Sequence, residues 1–312
     1  MPRPAYAPHE DFIDPARGNP SISLLILGVL VIELFYLASV HLMEPFLILV
    51  PLASPSEVST GSTPRGLLIQ LTSFLVLAFA VILVSRRLHG RGFVSLIGPP
   101  QVATRQLLLV TLVLVVVVMV AEFIPPDLAM LRQANMRPLQ QWLLLLPLAL
   151  TALLIQTGAE ELFYRGYVQQ QIAARFSQPW VWLVLPSLLF ASAHYSPDLP
   201  MVEMLQYMCW AFVFGLAAAD LTARSGTLGP AIGFHLVNNA LAFLIYGEAG
   251  GVDSGLTLFL FPYEMPAKFL IPQTDTPDSP PFDPGALISP DFLFELVGVG
   301  IFWAGARIAL RR

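Results

Sequence analysis

Apolar residues run in long blocks along this chain, each closed by a short polar or proline-rich stretch. A helix that crosses the hydrocarbon of a bilayer needs roughly 20 mostly apolar residues. Blocks that approach this length cover 22–43, 66–85, 107–123, 142–157 with a continuation, 181–194, 204–221, 228–246 and 292–310. The fourth and fifth are the least clean. Lipid holds no water to satisfy free peptide groups, so such blocks can only be helices or strands of a closed barrel. Their length selects helices. The pattern predicts an all-α fold, a polytopic transmembrane helix bundle with about eight spans.

Composition points the same way. The chain is 56% hydrophobic and only 12% charged, with a mean hydropathy of +0.70. A soluble domain carries about a quarter charged residues, so this one cannot cover a water-facing surface. Its net charge of −5 argues against nucleic acid as a partner. The single cysteine, Cys209, has no internal disulfide partner and reads as a small buried hydrophobe. The first twenty residues are polar and proline-rich, and the apolar block that follows is too long for a cleaved secretory signal. The ends resemble neither a myristoylation nor a prenylation signal.

Orientation follows from the basic residues of short loops. With the N-terminus inside, Arg3, Arg17, Arg86, Arg87, Arg91, Arg105, Arg165, Arg175, Arg224, Arg307, Arg311 and Arg312 are cytoplasmic. Arg65, Arg132, Arg137 and Lys268 remain outside. Twelve against four places both termini in the cytoplasm. Fifteen arginines against one lysine suggest a GC-rich bacterial genome, hence an inner (plasma) membrane. Segment 247–291 holds many acids and prolines and is expected as an extracytoplasmic loop, with 256–261 dipping into the interface. Residues 93–97, after the basic run at 86–91, are expected as an interfacial segment.

Against this background ionisable groups inside the apolar blocks need a reason, because they are expensive in lipid. Glu160 and Glu161 end the fourth block, with Arg165 one turn on. Neighbouring helical residues point about 100° apart, so the two glutamates do different work. Glu161 and Arg165 are spaced for an intrahelical pair, which leaves Glu160 to face elsewhere. An ordinary ion pair at a helix end would give the same spacing. His194 closes the fifth block. A turn near 177–179 makes the two helices antiparallel and brings Glu160 and His194 to similar depth. His235 and Asn239 share one face of the seventh block, while Asn238 points away. Two donors on one stripe can hold one developing oxyanion, or serve as interhelical glue. Glu33 reads as an accessory or proton-carrying group. Glu122, Glu295, Tyr164, Tyr167 and Trp180 read as interfacial, and His9, His41 and His89 show no partner at a useful spacing.

Taken in order, Glu160-Glu161-Leu162-Phe163-Tyr164-Arg165, Phe190-Ala191-Ser192-Ala193-His194 and His235-Leu236-Val237-Asn238-Asn239 resemble three motifs of one family. It is the CPBP family of CAAX-protease and bacteriocin-processing intramembrane proteases, also called type II CAAX or ABI. The motifs lie within about 142–246. The resemblance implies that Glu160 activates a water with His194. It implies that His235 and Asn239 hold the scissile carbonyl oxygen, and that Glu161 and Arg165 brace the site. Tyr164 stands where members often have phenylalanine, which touches nothing catalytic.

The expected organisation is therefore a cytoplasmic tail over 1–20, three spans over 21–138, a catalytic CPBP-like core over 139–246, the acidic loop 247–291 and a last span over 292–312. The expected activity is intramembrane endoproteolysis of a membrane-associated or lipidated protein or peptide, in contact with membrane lipid. The alternatives are a non-catalytic scaffold, regulator or bacteriocin-immunity protein, and, ranked last, a proton-coupled transporter using Glu33 and Glu160. Zinc stays open: Glu160, His194 and His235 are a ligand type found in catalytic zinc sites, but there is no His-Glu-x-x-His helix. The reading leans towards a glutamate-activated water.

Overall fold

Helices form wherever the apolar blocks lie, and their ends are set by ordinary capping chemistry. The computed structural model describes residues 5–123, 134–197, 199–262 and 284–311. A short helix α1 (Ala7–Arg17) precedes α2 (Ile22–Leu49), which Ser21 caps by accepting the Leu24 N–H. A capping box at Ser54 and Glu57 starts α3 (Pro55–Thr60), and α4 (Pro64–Ser73) runs on into α5 (Leu75–His89). Then come α6 (Phe93–Ile97), α7 (Pro100–Phe123) and α8 (Leu139–Glu161). A π-helical segment, Leu162–Gln169, joins α8 to α9 (Gln170–Arg175). The remaining helices are α10 (Pro179–Ser192), α11 (Met201–Ser225), α12 (Gly229–Leu244) and α13 (Pro290–Leu310).

The all-α transmembrane fold is as expected from the apolar pattern. Six of the eight expected segments are helices long and apolar enough to cross a membrane: Ile22–Leu49, Pro64–His89, Phe93–Ala121, Leu139–Arg175, Met201–Ser225 and Pro290–Leu310. The other two, α10 and α12, have 14 and 16 residues. At 1.5 Å per residue they span only about 21–24 Å, short of a hydrocarbon core of about 30 Å. The turn between α9 and α10 falls at 176–178, where the sequence placed it.

α12 is held against α7 by small residues. A Cβ at Gly229 would come 2.0 Å from the Ala103 carbonyl oxygen, and one at Gly233 would come 2.9 Å from that of Leu107. Glycines four apart let two membrane helices approach backbone to backbone. This approach positions the part of α12 that carries His235. Gly229→Val is expected to push α12 off α7 and lower the thermal midpoint in detergent by several degrees. An unchanged midpoint would contradict this packing.

Several readings of single residues need correction. Residues 1–20 are not simply a polar tail, because α1 buries His9, Phe12, Ile13 and Ala16 against the bundle. The buried positions at 9, 12, 13 and 16 follow helical spacing, a pattern masked by His9 itself and by the polar and proline residues between them. Tyr164 and Tyr167 are buried rather than interfacial, and the Tyr167 hydroxyl bonds His89 Nε2 at 2.9 Å. His89 thus has a partner, found only by tertiary contact. Cys209 is exposed on α11, since a lipid-facing surface accepts a small apolar residue as readily as a core does.

Segment 247–291 is also more ordered at its start than a loop. Strands β1 (Asn135–Met136), β2 (Tyr246–Glu248) and β3 (Phe259–Phe261) form a small sheet, with β1 antiparallel and β2 parallel to β3. Arg137 Nε donates to the Thr257 carbonyl at 2.9 Å and ties this sheet to the start of α8. Pairing across distant segments left no local signal beyond the apolar run at 256–261. Residues 263–283, with Glu264, Lys268, Asp275, Asp278 and Asp283, and also Arg132 and the Glu122 side chain, lie outside the described residues.

His9 gives α1 a pH dependence. Its ring packs 4.4 Å from that of Trp182, and burial first, then the nearby Arg17 charge, lower its pKa to about 4. A histidine near 6.5 when undocked takes up a proton that the docked state refuses. Docking is therefore full above about pH 6.5 and weakens as pH falls towards 4, by up to roughly 3 kcal/mol. Hydrogen exchange across α1 should accelerate over that window, and His9→Phe should abolish the acceleration.

Candidate functional site

Glu160 and Glu161 stand at the last turn of α8, immediately before the π-helical segment. A π-turn widens the helix and re-aims the side chains after it, and such turns are common at functional sites. Here the two glutamates diverge as adjacent helical residues must. Glu161 is fully buried and its Oε1 accepts from Arg165 at 2.9 Å and from His235 Nδ1 at 2.9 Å. Arg165, also fully buried, donates a second bond to the Gly215 carbonyl at 3.2 Å and lies 4.7 Å over the Phe190 ring. The ion pair expected from the four-residue spacing is present. It extends to α12 through His235, which sequence spacing did not reveal.

That second bond fixes the imidazole chemically. Glu161 is an acceptor already paired with a guanidinium, so Nδ1 of His235 carries the proton between them. The working nitrogen is then Nε2, 3.6 Å from Glu160 Oε2. Phe214, 5.0 Å away by ring centroid, and Phe190, 5.9 Å away, wall the imidazole in.

Glu160 is also held from behind by a chain of amides. Gln156, one turn earlier on α8, donates to Glu160 Oε1 at 2.8 Å. Asn239 donates to Gln156 Oε1 at 2.9 Å, and Asn238 donates to Asn239 Oδ1 at 3.2 Å. Each amide orientation follows from the next, because a carboxylate at the end can only accept. Asn239 therefore stands on the His235 face of α12 as expected, yet its amide nitrogen is directed to Gln156. Gln156 was missed, although its four-residue spacing from Glu160 was a usable signal.

His194 arrives from the other side. It sits two residues past the end of α10, and its Nδ1–H donates to the Phe190 carbonyl at 2.8 Å, leaving Nε2 as an acceptor. Glu160 precedes Arg175 by as many residues as His194 follows Pro179. Both line one cavity of about 320 Å³, together with Glu33, Tyr36, Tyr164 and Tyr207. The chain is non-helical over Ala193–Pro197 and again at Leu199 and Pro200, before α11 begins. Non-helical backbone at membrane depth is tolerated where it lines a watered cavity. A larger cavity of about 890 Å³ lies under α1 and α6, but its lining has no imidazole and Asp11 as its one carboxylate.

Glu160 and His235 stand together, the Glu161 contact of His235 being of the kind that orients a ligating histidine, but no third donor joins them among the described residues. Among the described residues no three His, Cys, Asp or Glu side chains converge as a metal-holding group. One imidazole nitrogen of His235 is bonded to Glu161, and the other faces Glu160 across 3.6 Å. His194 lines the same cavity as Glu160, its Nδ1 held by the Phe190 carbonyl. No chemical step is therefore assigned to a metal.

Residues 141–241 match the family model described as type II CAAX prenyl endopeptidase Rce1-like. The resemblance read from the three motifs stands over that segment. The chain is also 27% identical over 149 residues to an uncharacterised protein, YyaK, of Bacillus subtilis (strain 168). That alignment takes in 46% of this chain and 48% of the relative, so the chain spans about half the length of the curated protein it matches. No solved structure matches. Six apolar helices of crossing length support an integral membrane protein, and the endopeptidase family is matched over 141–241 alone.

Proposed function

We propose that the chain is an intramembrane endopeptidase that hydrolyses a peptide bond in a membrane-associated or lipidated protein or peptide. The observation that carries this reading is the approach of Glu160 to His235 Nε2, 3.6 Å, at the edge of a cavity that His194 also lines. In the proposed reaction Glu160 and the free Nε2 of His194 hold a water, and Glu160 takes its proton as the hydroxide adds to the scissile carbonyl carbon. The carbonyl oxygen becomes an oxyanion, which needs fixed donors in a site of low dielectric. A proton on His235 Nε2 makes the ring an imidazolium, stabilised by Glu161 behind it, and its N–H serves as one donor. Asn239 has a second amide hydrogen beyond the one given to Gln156, which serves as the other. Collapse of the intermediate breaks the C–N bond, and Glu160 returns its proton to the leaving amine.

The cut is placed near the cytoplasmic leaflet by the arginine distribution, with both termini cytoplasmic. The five-part division of the chain, with 139–246 as the catalytic core, belongs to the same proposal. The test compares membrane proteomes of cells that carry the wild-type or the Glu160→Gln protein. New protein termini are expected with wild type alone. A phenotype fully supported by Glu160→Gln, with identical termini, would favour the scaffold or immunity reading. Zinc bound stoichiometrically to purified protein, with cleavage reversibly stopped by chelation, would overturn the metal-independent chemistry.

A further inference from the structure

Glu33 is the one acidic side chain of the cavity that the three motifs do not supply. It comes from the middle of α2, outside the matched segment 141–241. Among the described residues it has no hydrogen bond or ion pair. A carboxylate in a membrane helix without a counter-charge is costly, so its retention asks for a partner that arrives from elsewhere. Tyr36, one turn on along α2, faces the same space, and its ring lies 5.3 Å from that of Phe74. Tyr164 and Tyr207 form further aromatic walls. The lining contains Glu33 and Glu160 and no lysine or arginine. The guanidinium of Arg165 is already committed to Glu161.

A space with two carboxyl groups, aromatic faces and no fixed cation attracts a positive charge, both by direct pairing and by cation–π contact. Glu160 already has Gln156 and His235 as partners, whereas Glu33 has none. We propose that Glu33 and Tyr36 form a subsite for a basic side chain, so that the substrates carry lysine or arginine within a few residues of the scissile bond. This rests on the protease reading and adds specificity to it. The cation would be recognised by α2, while the bond is cut by residues of α8, α10 and α12. Selection is thus carried on a helix that the catalytic motifs do not include.

The test uses the purified full chain in phosphatidylcholine vesicles with a library of apolar peptides randomised at the positions around one central bond. Products are read by mass spectrometry for wild type, Glu33→Asp, Glu33→Gln and Glu33→Arg. Wild type is expected to cut peptides with Lys or Arg at one position at least tenfold faster than those with Gln there. Glu33→Asp should keep most of that ratio, Glu33→Gln should bring it close to one, and Glu33→Arg should favour Asp or Glu. Absence of a basic preference in wild type, or its persistence in Glu33→Gln, would overturn the subsite. Absence of any Glu160-dependent cleavage across the library would overturn the protease reading beneath it.

Discussion

Glu161→Ala is expected to destabilise the helix core by about 3–5 kcal/mol, the usual cost of removing one partner from a buried ion pair. Glu161 and Arg165 are both fully buried, and the same Glu161 oxygen takes the His235 N–H. Without it a guanidinium keeps only the Gly215 carbonyl, and an imidazole N–H loses its acceptor inside a wall of phenylalanines. Glu161→Gln keeps an acceptor of the same shape and should cost less, although it loses the charge. The thermal midpoint in detergent measures both. A midpoint for Glu161→Ala within a degree of wild type would mean that the three residues are not one bonded unit.

Glu160→Gln should do the opposite, leaving the fold intact and removing the chemistry. Its amide oxygen still accepts from Gln156, and the side chain keeps its volume, so the thermal midpoint is expected near that of wild type. The amide cannot take a proton from water. Loss of a positioned general base typically lowers the rate by about 10²–10⁴. The expected outcome is a loss of that order in kcat, read on any peptide that wild type cuts in vesicles. The two neighbouring glutamates are thus separable by assay: one is read in stability and the other in turnover.

The sequence made the helices legible because lipid leaves the backbone few choices. It also made Glu161–Arg165 legible, since that bond lies within one helix. That Glu160 and His194 border one cavity accords with their equal count from the turn between α9 and α10. What it could not convey were contacts between distant helices. The bond from His235 to Glu161 joins α12 to α8, and its direction depends on how Gly229 and Gly233 seat α12 on α7. Tyr167 meets His89 by the same kind of long-range packing. The length of α12 was overestimated because the apolar block continues past the helix end, while α10 has the expected length and lies two residues earlier than expected. His194 lies past the end of α10, where the chain turns to Tyr195, Ser196 and Pro197 rather than to further apolar residues. Gln156 is different: the four-residue spacing was present, and a neutral amide in an apolar run drew no attention beside two glutamates.

The account stands on Glu160 and His194 acting on one water as a unit. The most direct measurement is a double-mutant cycle on kcat/KM with Glu160→Gln, His194→Ala and the double variant, all shown to be folded. Side chains that serve a single step are non-additive, so the double variant should cleave no more slowly than the worse single variant. Multiplication of the two losses, or full activity in either single variant, would contradict the account.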